Sequence, residues 1–317
     1  MNRSRAGFLH HGGMLLVFAV LAAACALLVP DFASRNNLEA LLLSVSTVGL
    51  VSCTMLFCLA SGNFDLSVGS VVACSGVVAA VVMRDTGSVL LGVAAALGSG
   101  LAVGVVNGAV VAHARINPLI TTLATMQIVR GAGYIANDGN SVAIVAQGFE
   151  LIGNARPFRG LGWLDHPLPV WIAAACMVVF GLVLAYTTFG RATLAVGGNE
   201  EAARLAGLPV ERTKLVIFAL QGLVAALTGV VLASRMTSGQ PMSALGLELE
   251  VISACVLGGV SLAGGVGSMV SVVAGVLILG TVQNAMNLLG VDTFWQYVVR
   301  GSILLAAVLF DRLRART

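Results

Sequence analysis

A chain of 317 residues that is 58% hydrophobic, 10% charged and has a mean hydropathy of +0.98 lacks the charged surface, roughly a quarter of its residues, that a soluble domain of this length needs. Composition therefore excludes a soluble enzyme and indicates a polytopic membrane protein. The net charge of +3 says little by itself, and no nucleic-acid partner is expected; what informs is where the basic residues fall.

The chain opens with a basic tip and an apolar run over 1–30 that imitates a secretory signal, but the many apolar segments behind it favour an uncleaved first helix. Segments long enough to span fall near 13–30, 38–60, 66–83, 88–112, 117–136, 168–187, 215–234, 248–263, 269–289 and 294–310. The expectation is an all-α membrane protein of about ten helices in a single transmembrane domain, 1–317. Its third and eighth spans are short or interrupted by glycine. Barrel strands are excluded, because the runs are too long and show no strict alternation.

Taken in order, the stretch Ser61-Gly62-Asn63-Phe64-Asp65-Leu66-Ser67-Val68-Gly69 interrupts the oil between spans two and three. It reads either as a cytoplasmic turn in which Asp65 or Ser67 caps the third helix, or as a re-entrant break that lines a pathway. Gly100, Gly104 and Gly108 recur at four-residue spacing in span four, which makes a smooth packing groove. Span five carries Thr121, Thr122, Thr125, Gln127 and Arg130, and the last spans carry Gln283, Asn284, Asn287 and Arg300. Polar groups inside a bilayer face the bundle interior or a wet cavity, so two readings stand side by side. Together with Asn63, Asp65 and Ser67 these residues line a translocation path, or Arg130 and Arg300 pair with helix-end carbonyls or with Glu248 and Glu250 and hold the bundle together.

The most polar long interval is Gly197 to Lys214. Asn199 is placed to cap a short helix whose first turn carries Glu200 and Glu201, and the spacing Glu201-Ala202-Ala203 followed by Gly207 reads E-A-A-x-x-x-G. With a cytoplasmic N-terminus and alternating spans, Arg3, Arg5, Arg115, Arg191, Arg204, Arg212, Lys214, Arg312, Arg314 and Arg316 lie inside, whereas Arg35, Arg84, Arg156, Arg159 and Arg235 lie outside. That bias places both termini and the polar interval in the cytoplasm, and makes 137–167 the longest outer loop. Val129-Arg130-Gly131 recurs as Val299-Arg300-Gly301 and Gly98-Ser99 as Gly267-Ser268, which raises the possibility of two five-helix halves in inverted repeat.

Several chemistries drop out. The six cysteines lie in apolar runs without C-x-x-C spacing and read as buried thiols, and the four histidines are too scattered for a metal site. A phosphate loop needs Gly-Lys-Ser/Thr, but the single lysine, Lys214, follows Thr213. Acids in mid-span, on which an ion-driven carrier would centre, are also lacking: Asp65, Glu248 and Glu250 sit near span ends.

Over nearly its full length the chain resembles the permease subunits of bacterial ABC sugar importers of the ribose, galactose, xylose and arabinose group. The likeness is carried by Ser61 to Gly69, INPLITTLATMQIVRG from Ile116, Gly197 to Gly207, and SACVLGGVSLAGG from Ser253. MLFCLASGNFDLSV from Met55, ASRMTSGQPM from Ala233 and QYVVRGSILLAAV from Gln296 look most like the L-arabinose subfamily. The resemblance implies an inner-membrane subunit, working as one of two copies by alternating access and passing a monosaccharide, L-arabinose first, from a periplasmic binding protein. It implies no cofactor in this chain: ATP and Mg would be bound by a separate two-cassette ATPase. That ATPase would dock on a coupling loop, 188–214, through Asn199, Glu200, Glu201, Ala202, Ala203, Arg204 and Gly207. The competing functional class is a self-contained secondary sugar carrier driven by an ion gradient. A membrane scaffold is disfavoured, since it needs no polar, broken spans.

Overall fold

The computed structural model describes residues 3–314, with side chains over 13–309. The helices are α1 (Arg3–Leu28), α2 (Arg35–Ala60), α3 (Val68–Thr86), α4 (Val89–Ala112), α5 (Pro118–Ile135), α6 (Glu150–Asn154), α7 (Leu168–Tyr186), α8 (Thr188–Gly198), α9 (Glu200–Leu205), α10 (Val210–Met236), α11 (Leu247–Leu257), α12 (Met269–Leu288) and α13 (Thr293–Arg314). Each expected apolar segment coincides with one of them. Among the described residues six, α2, α3, α4, α7, α10 and α12, are long and apolar enough to cross a membrane. Arg316, and the side chains of Arg3, Arg5, Arg312 and Arg314, on which much of the orientation count rests, lie outside what is described.

The eighth segment departs from expectation. In place of a span over 248–263, α11 stops at Leu257, and eleven residues rise only about 16 Å, roughly half the hydrocarbon thickness. The reason is local. Gly259, Gly264 and Gly265 all hold positive φ, and Gly258 lies against the backbone of Ser271, so the chain turns where the hydropathy pattern continues.

Helix α2 is the hub: from Val48 through Ala60 every residue is buried, and it packs on α7, α10, α11 and α12. The tightest pairing is α4 with α10. A methyl group added at Gly100 would meet Ala226 and the Gly222 carbonyl, one at Gly104 the Phe218 carbonyl, and one at Gly222 the Gly100 carbonyl. The glycine spacing is therefore a packing seam, in which close backbone approach replaces the hydrophobic drive that lipid does not supply.

Two four-helix groups share one packing order. α10 lies on α3 and α4, and α2 lies on α11 and α12; α5 packs on α3 as α13 packs on α11. Helix starts in the two groups, Arg35 and Val210, Val68 and Leu247, Val89 and Met269, Pro118 and Thr293, are 175, 179, 180 and 175 positions apart. The tripeptide match at Arg130 and Arg300 is offset by 170 positions, five fewer than the starts of α5 and α13.

The segment 137–167 is folded rather than loose. Its strand β1 (Val142–Ala143) pairs antiparallel with β2 (Ser238–Gly239) beyond the end of α10. Ser234 Oγ donates to the Phe149 carbonyl and accepts from the Gly153 amide at 2.6 and 2.7 Å. Arg156 bonds Glu39 and Asp165, and Arg35 reaches Asp165 at 3.4 Å, which ties the segment to the start of α2.

Candidate functional site

Helix α9 is built by its own sequence. Asn199 is its N-cap, with Oδ1 accepting from the Ala202 amide at 2.9 Å, and Glu200 and Glu201 occupy the first turn, where the helix dipole favours acids. Gly207, at φ 81°, ends it: the Gly207 amide donates to the Arg204 carbonyl and the Leu208 amide to that of Ala203, the paired bonds of a Schellman cap. Ala203 turns inward onto Val196, Leu208 and Val210.

The charges around α9 mostly satisfy one another. Glu200 accepts from Lys214 at 2.6 Å and from Arg204 at 3.3 Å, and Arg204 also reaches Glu211 at 2.8 Å. Glu201 and Arg212 have no ion-pair partner among the described residues. What α9 presents outward is Glu201, Ala202, Arg204 and Leu205, the last 90% exposed.

At the α2–α3 link the buried Asp65 accepts from the Ser67 amide at 2.8 Å and its hydroxyl at 2.6 Å, which starts α3. Ser67 Oγ in turn accepts from Asn107 of α4 at 3.0 Å, and Asn63 donates to the Ser61 carbonyl and hydroxyl. Burial pushes the Asp65 carboxyl up to about 6, against the pull of the two Ser67 bonds.

The intramembrane polar residues fall into separate groups. Thr121, Thr122 and Thr125 donate to carbonyls of their own helix start and first turns, those of Asn117, Pro118 and Thr121. Arg130 donates to the Pro241 and Ser243 carbonyls, both at 2.9 Å, just ahead of α11. Arg300 of α13 lies 3.4 Å from Glu250 in the first turn of α11 and 5.6 Å over the Tyr297 ring. Gln283 joins this pair when its amide is oriented to donate to Glu250 at 2.9 Å and accept from Arg300 at 3.0 Å. Arg300 thus pairs with a glutamate at the head of α11, whereas Arg130 bonds the loop that leads into it. Asn284 exchanges bonds with Asn37 of α2 at 2.8 and 2.9 Å, and Asn287 accepts from Gln296 at 2.8 Å. Gln127 is exposed on α5 and has no hydrogen-bond partner among the described residues. The free space among Glu250, Gln283 and Arg300 is only about 10 Å³, room for a water and not for a sugar.

Residues 37–308 match the family described as the permease component of branched-chain amino acid transport systems. The chain belongs to that permease family. Its relatives include the L-arabinose transport system permease protein AraH of Escherichia coli K12, 61% identical over 96% of this chain and 91% of the relative. The L-arabinose ABC transporter permease protein AraH of Azospirillum brasilense is 51% identical over 98% of this chain and 91% of its own. The ribose import permease protein RbsC of Escherichia coli K12 is 39% identical over 94% and 92%. No solved structure matches the chain.

In this permease the structure adds three features that the sequence reading passed over. Leu205 is an apolar residue set outward on a polar helix, and its signal was one leucine inside an otherwise hydrophilic interval. Asn107 supports the α2–α3 link, but nothing in sequence joins it to Ser67, forty residues away. Helix α8 was read as loop, because its glycines and threonines mask an amphipathic turn pattern that buries Gly190, Ala192, Thr193 and Val196.

Proposed function

We propose that this chain is the membrane subunit of an ATP-driven importer whose cargo is L-arabinose. The single observation that carries the reading is 61% identity, over nearly the whole chain, to a permease named for that transport. The family description names branched-chain amino acids, whereas the relatives' names specify sugars, so family membership alone leaves the cargo open. The secondary-carrier alternative finds no support among the relatives, which are permease proteins of transport systems.

In this reading ten helices, α1 to α5, α7 and α10 to α13, lie in the bacterial inner membrane with both termini cytoplasmic. The groups α2–α5 and α10–α13 form an inverted repeat, a reading supported by their common packing order. Two copies assemble, and the partner ATPase binds ATP and Mg and seats on 188–214 through Glu201, Ala202 and Leu205. Glu200 and Arg204, already paired, shape the surface. A periplasmic binding protein delivers the sugar to the outer side. The path runs between the copies past Gln127, the polar residue of α5 left without a partner. Thr121, Thr122, Thr125, Arg130, Gln283, Asn284, Asn287 and Arg300 support the bundle around it, as Asn63, Asp65 and Ser67 support the start of α3.

The test is reconstitution in vesicles with a two-cassette ATPase and an arabinose-binding protein. Labelled L-arabinose should accumulate only with ATP and should outcompete ribose. Accumulation by the chain alone under a proton or sodium gradient would overturn the proposal.

A further inference from the structure

Immediately ahead of α9 the main chain is clamped between two links that belong to different parts of the bundle. A methyl group at Gly197 would overlap the Ala60 carbonyl at the end of α2 and lie 2.7 Å from the Gly265 amide nitrogen. That amide donates to the same Ala60 carbonyl at 2.8 Å. Gly264, at φ 84°, has room for only a hydrogen between the Gly197 carbonyl at 2.6 Å and the Gly62 amide nitrogen at 2.9 Å, and a methyl at Gly265 would come within 2.9 Å of Gly198 Cα. Three backbones, at 60–62, 197–198 and 264–265, therefore touch with no side chain between them.

Side chains at a contact change rotamer and absorb small displacements; peptide groups fixed by their neighbours do not. One arm of the clamp continues into the α2–α3 link, where Asp65 and Ser67 start α3 and Asn107 ties them to α4. The other continues through the α11–α12 link to α11, with Arg300 paired at its head and Arg130 bonded to the loop that leads into it. We infer that the backbone contact of Gly197 with Ala60 and Gly265 is the element that converts displacement of α9 into movement of both links, so Gly197 is a positioning residue for ATP-coupled transport. The inference rests on the reading of α9 as the ATPase seat.

The neighbouring glycine supplies the control. A methyl at Gly198 finds its nearest atom, Gly265 Cα, only at 4.0 Å. Both glycines lie in the last turn of α8, so alanine raises helix propensity at each, and only the methyl at Gly197 meets the clamp. The experiment reads sugar imported per ATP hydrolysed by the reconstituted complex, together with ATPase copurification. Simple destabilisation lowers uptake and hydrolysis in parallel and leaves this ratio unchanged. Gly197→Ala should keep the ATPase bound and hydrolysing while the ratio falls about tenfold or more, a deficit of about 1.4 kcal/mol or more in coupling. Gly198→Ala should stay within about twofold of the unmodified chain. A normal ratio in Gly197→Ala, or an equal fall in Gly198→Ala, overturns the inference. Should Gly197→Ala fail to reach the membrane, Gly267→Ala takes its place. There the added methyl meets the movable Leu56 side chain at 2.7 Å and the Ala60 methyl at 3.5 Å. Its ratio should fall about two- to threefold with normal assembly, and an unchanged ratio overturns the inference. If the unmodified complex shows no ATP-driven uptake, the reading of α9 as an ATPase seat fails instead.

Discussion

The two polar excursions of this chain, 188–214 and 137–167, differ in where their charges go. Segment 137–167 is held by ion pairs, Arg156 on Glu39 and Asp165 and Arg35 on Asp165, by a two-residue strand pairing, by the buried Phe149 and by Gly153 set against the Arg235 backbone. Segment 188–214 meets α2 through Phe189 stacked on Phe57 and through Gly197, main chain against main chain, while its ion pairs among the described residues join its own members. Ion pairs on long side chains stretch and re-form, whereas a contact between peptide groups has no rotamer to change.

The comparison can be broken most sharply at Leu205. Leu205→Glu should leave the chain inserted and weaken ATPase binding about ten- to a hundredfold, the range expected if burial of that side chain contributes about 1.5–3 kcal/mol; copurification at graded ATPase concentrations measures it. Gly207→Val forces a branched residue into φ 81°, which costs about 1–2 kcal/mol and removes the Schellman cap. ATPase binding should fall about tenfold while segment 137–167 resists protease as before. Asn199→Ala removes a cap contributing about 1 kcal/mol, so binding should fall by a factor of about five. In segment 137–167, Arg156→Ala breaks partly exposed pairs, which contribute little to stability. Cleavage within 137–167 should rise a few-fold with ATPase binding untouched; loss of that binding would mean the two attachments are not independent.

Asp65 sharpens the comparison through pH, since it lies on one arm of the clamp. Its carboxyl is raised to about 6 by burial, so the folded chain holds a proton that the unfolded chain has released. Stability should therefore fall as pH rises from about 4 to about 6 and level off above. Asp65→Asn, which retains the acceptor for Ser67, should flatten that slope, as thermal unfolding in detergent at pH 4.5 and 7 would reveal.

Hydropathy located the helices closely because lipid demands an apolar surface whatever the neighbours are, and the ends of α9 were legible because Asn199 and Gly207 act within a few residues of themselves. The half-length of α11 was hidden, since the segment after Leu257 stays apolar while its glycines turn the chain. The polar spans misled in a different way. Composition marks Arg130, Gln283 and Arg300 as unusual in a membrane, but whether they face sugar, α11 or one another is decided by contacts across 17 to 111 positions of sequence. Gly197 lay inside the polar interval, yet its importance is a matter of what stands opposite it, and spacing carries no record of that.

The shortness of α11 bears on how the chain is made. Eleven residues with two glutamates in the first turn are too short and too acidic at one end to settle in a bilayer by themselves. The guanidinium that answers Glu250 belongs to α13, which leaves the ribosome after α11 and α12. A nascent chain arrested before Arg300 therefore leaves Glu250 without its ion-pair partner until synthesis resumes.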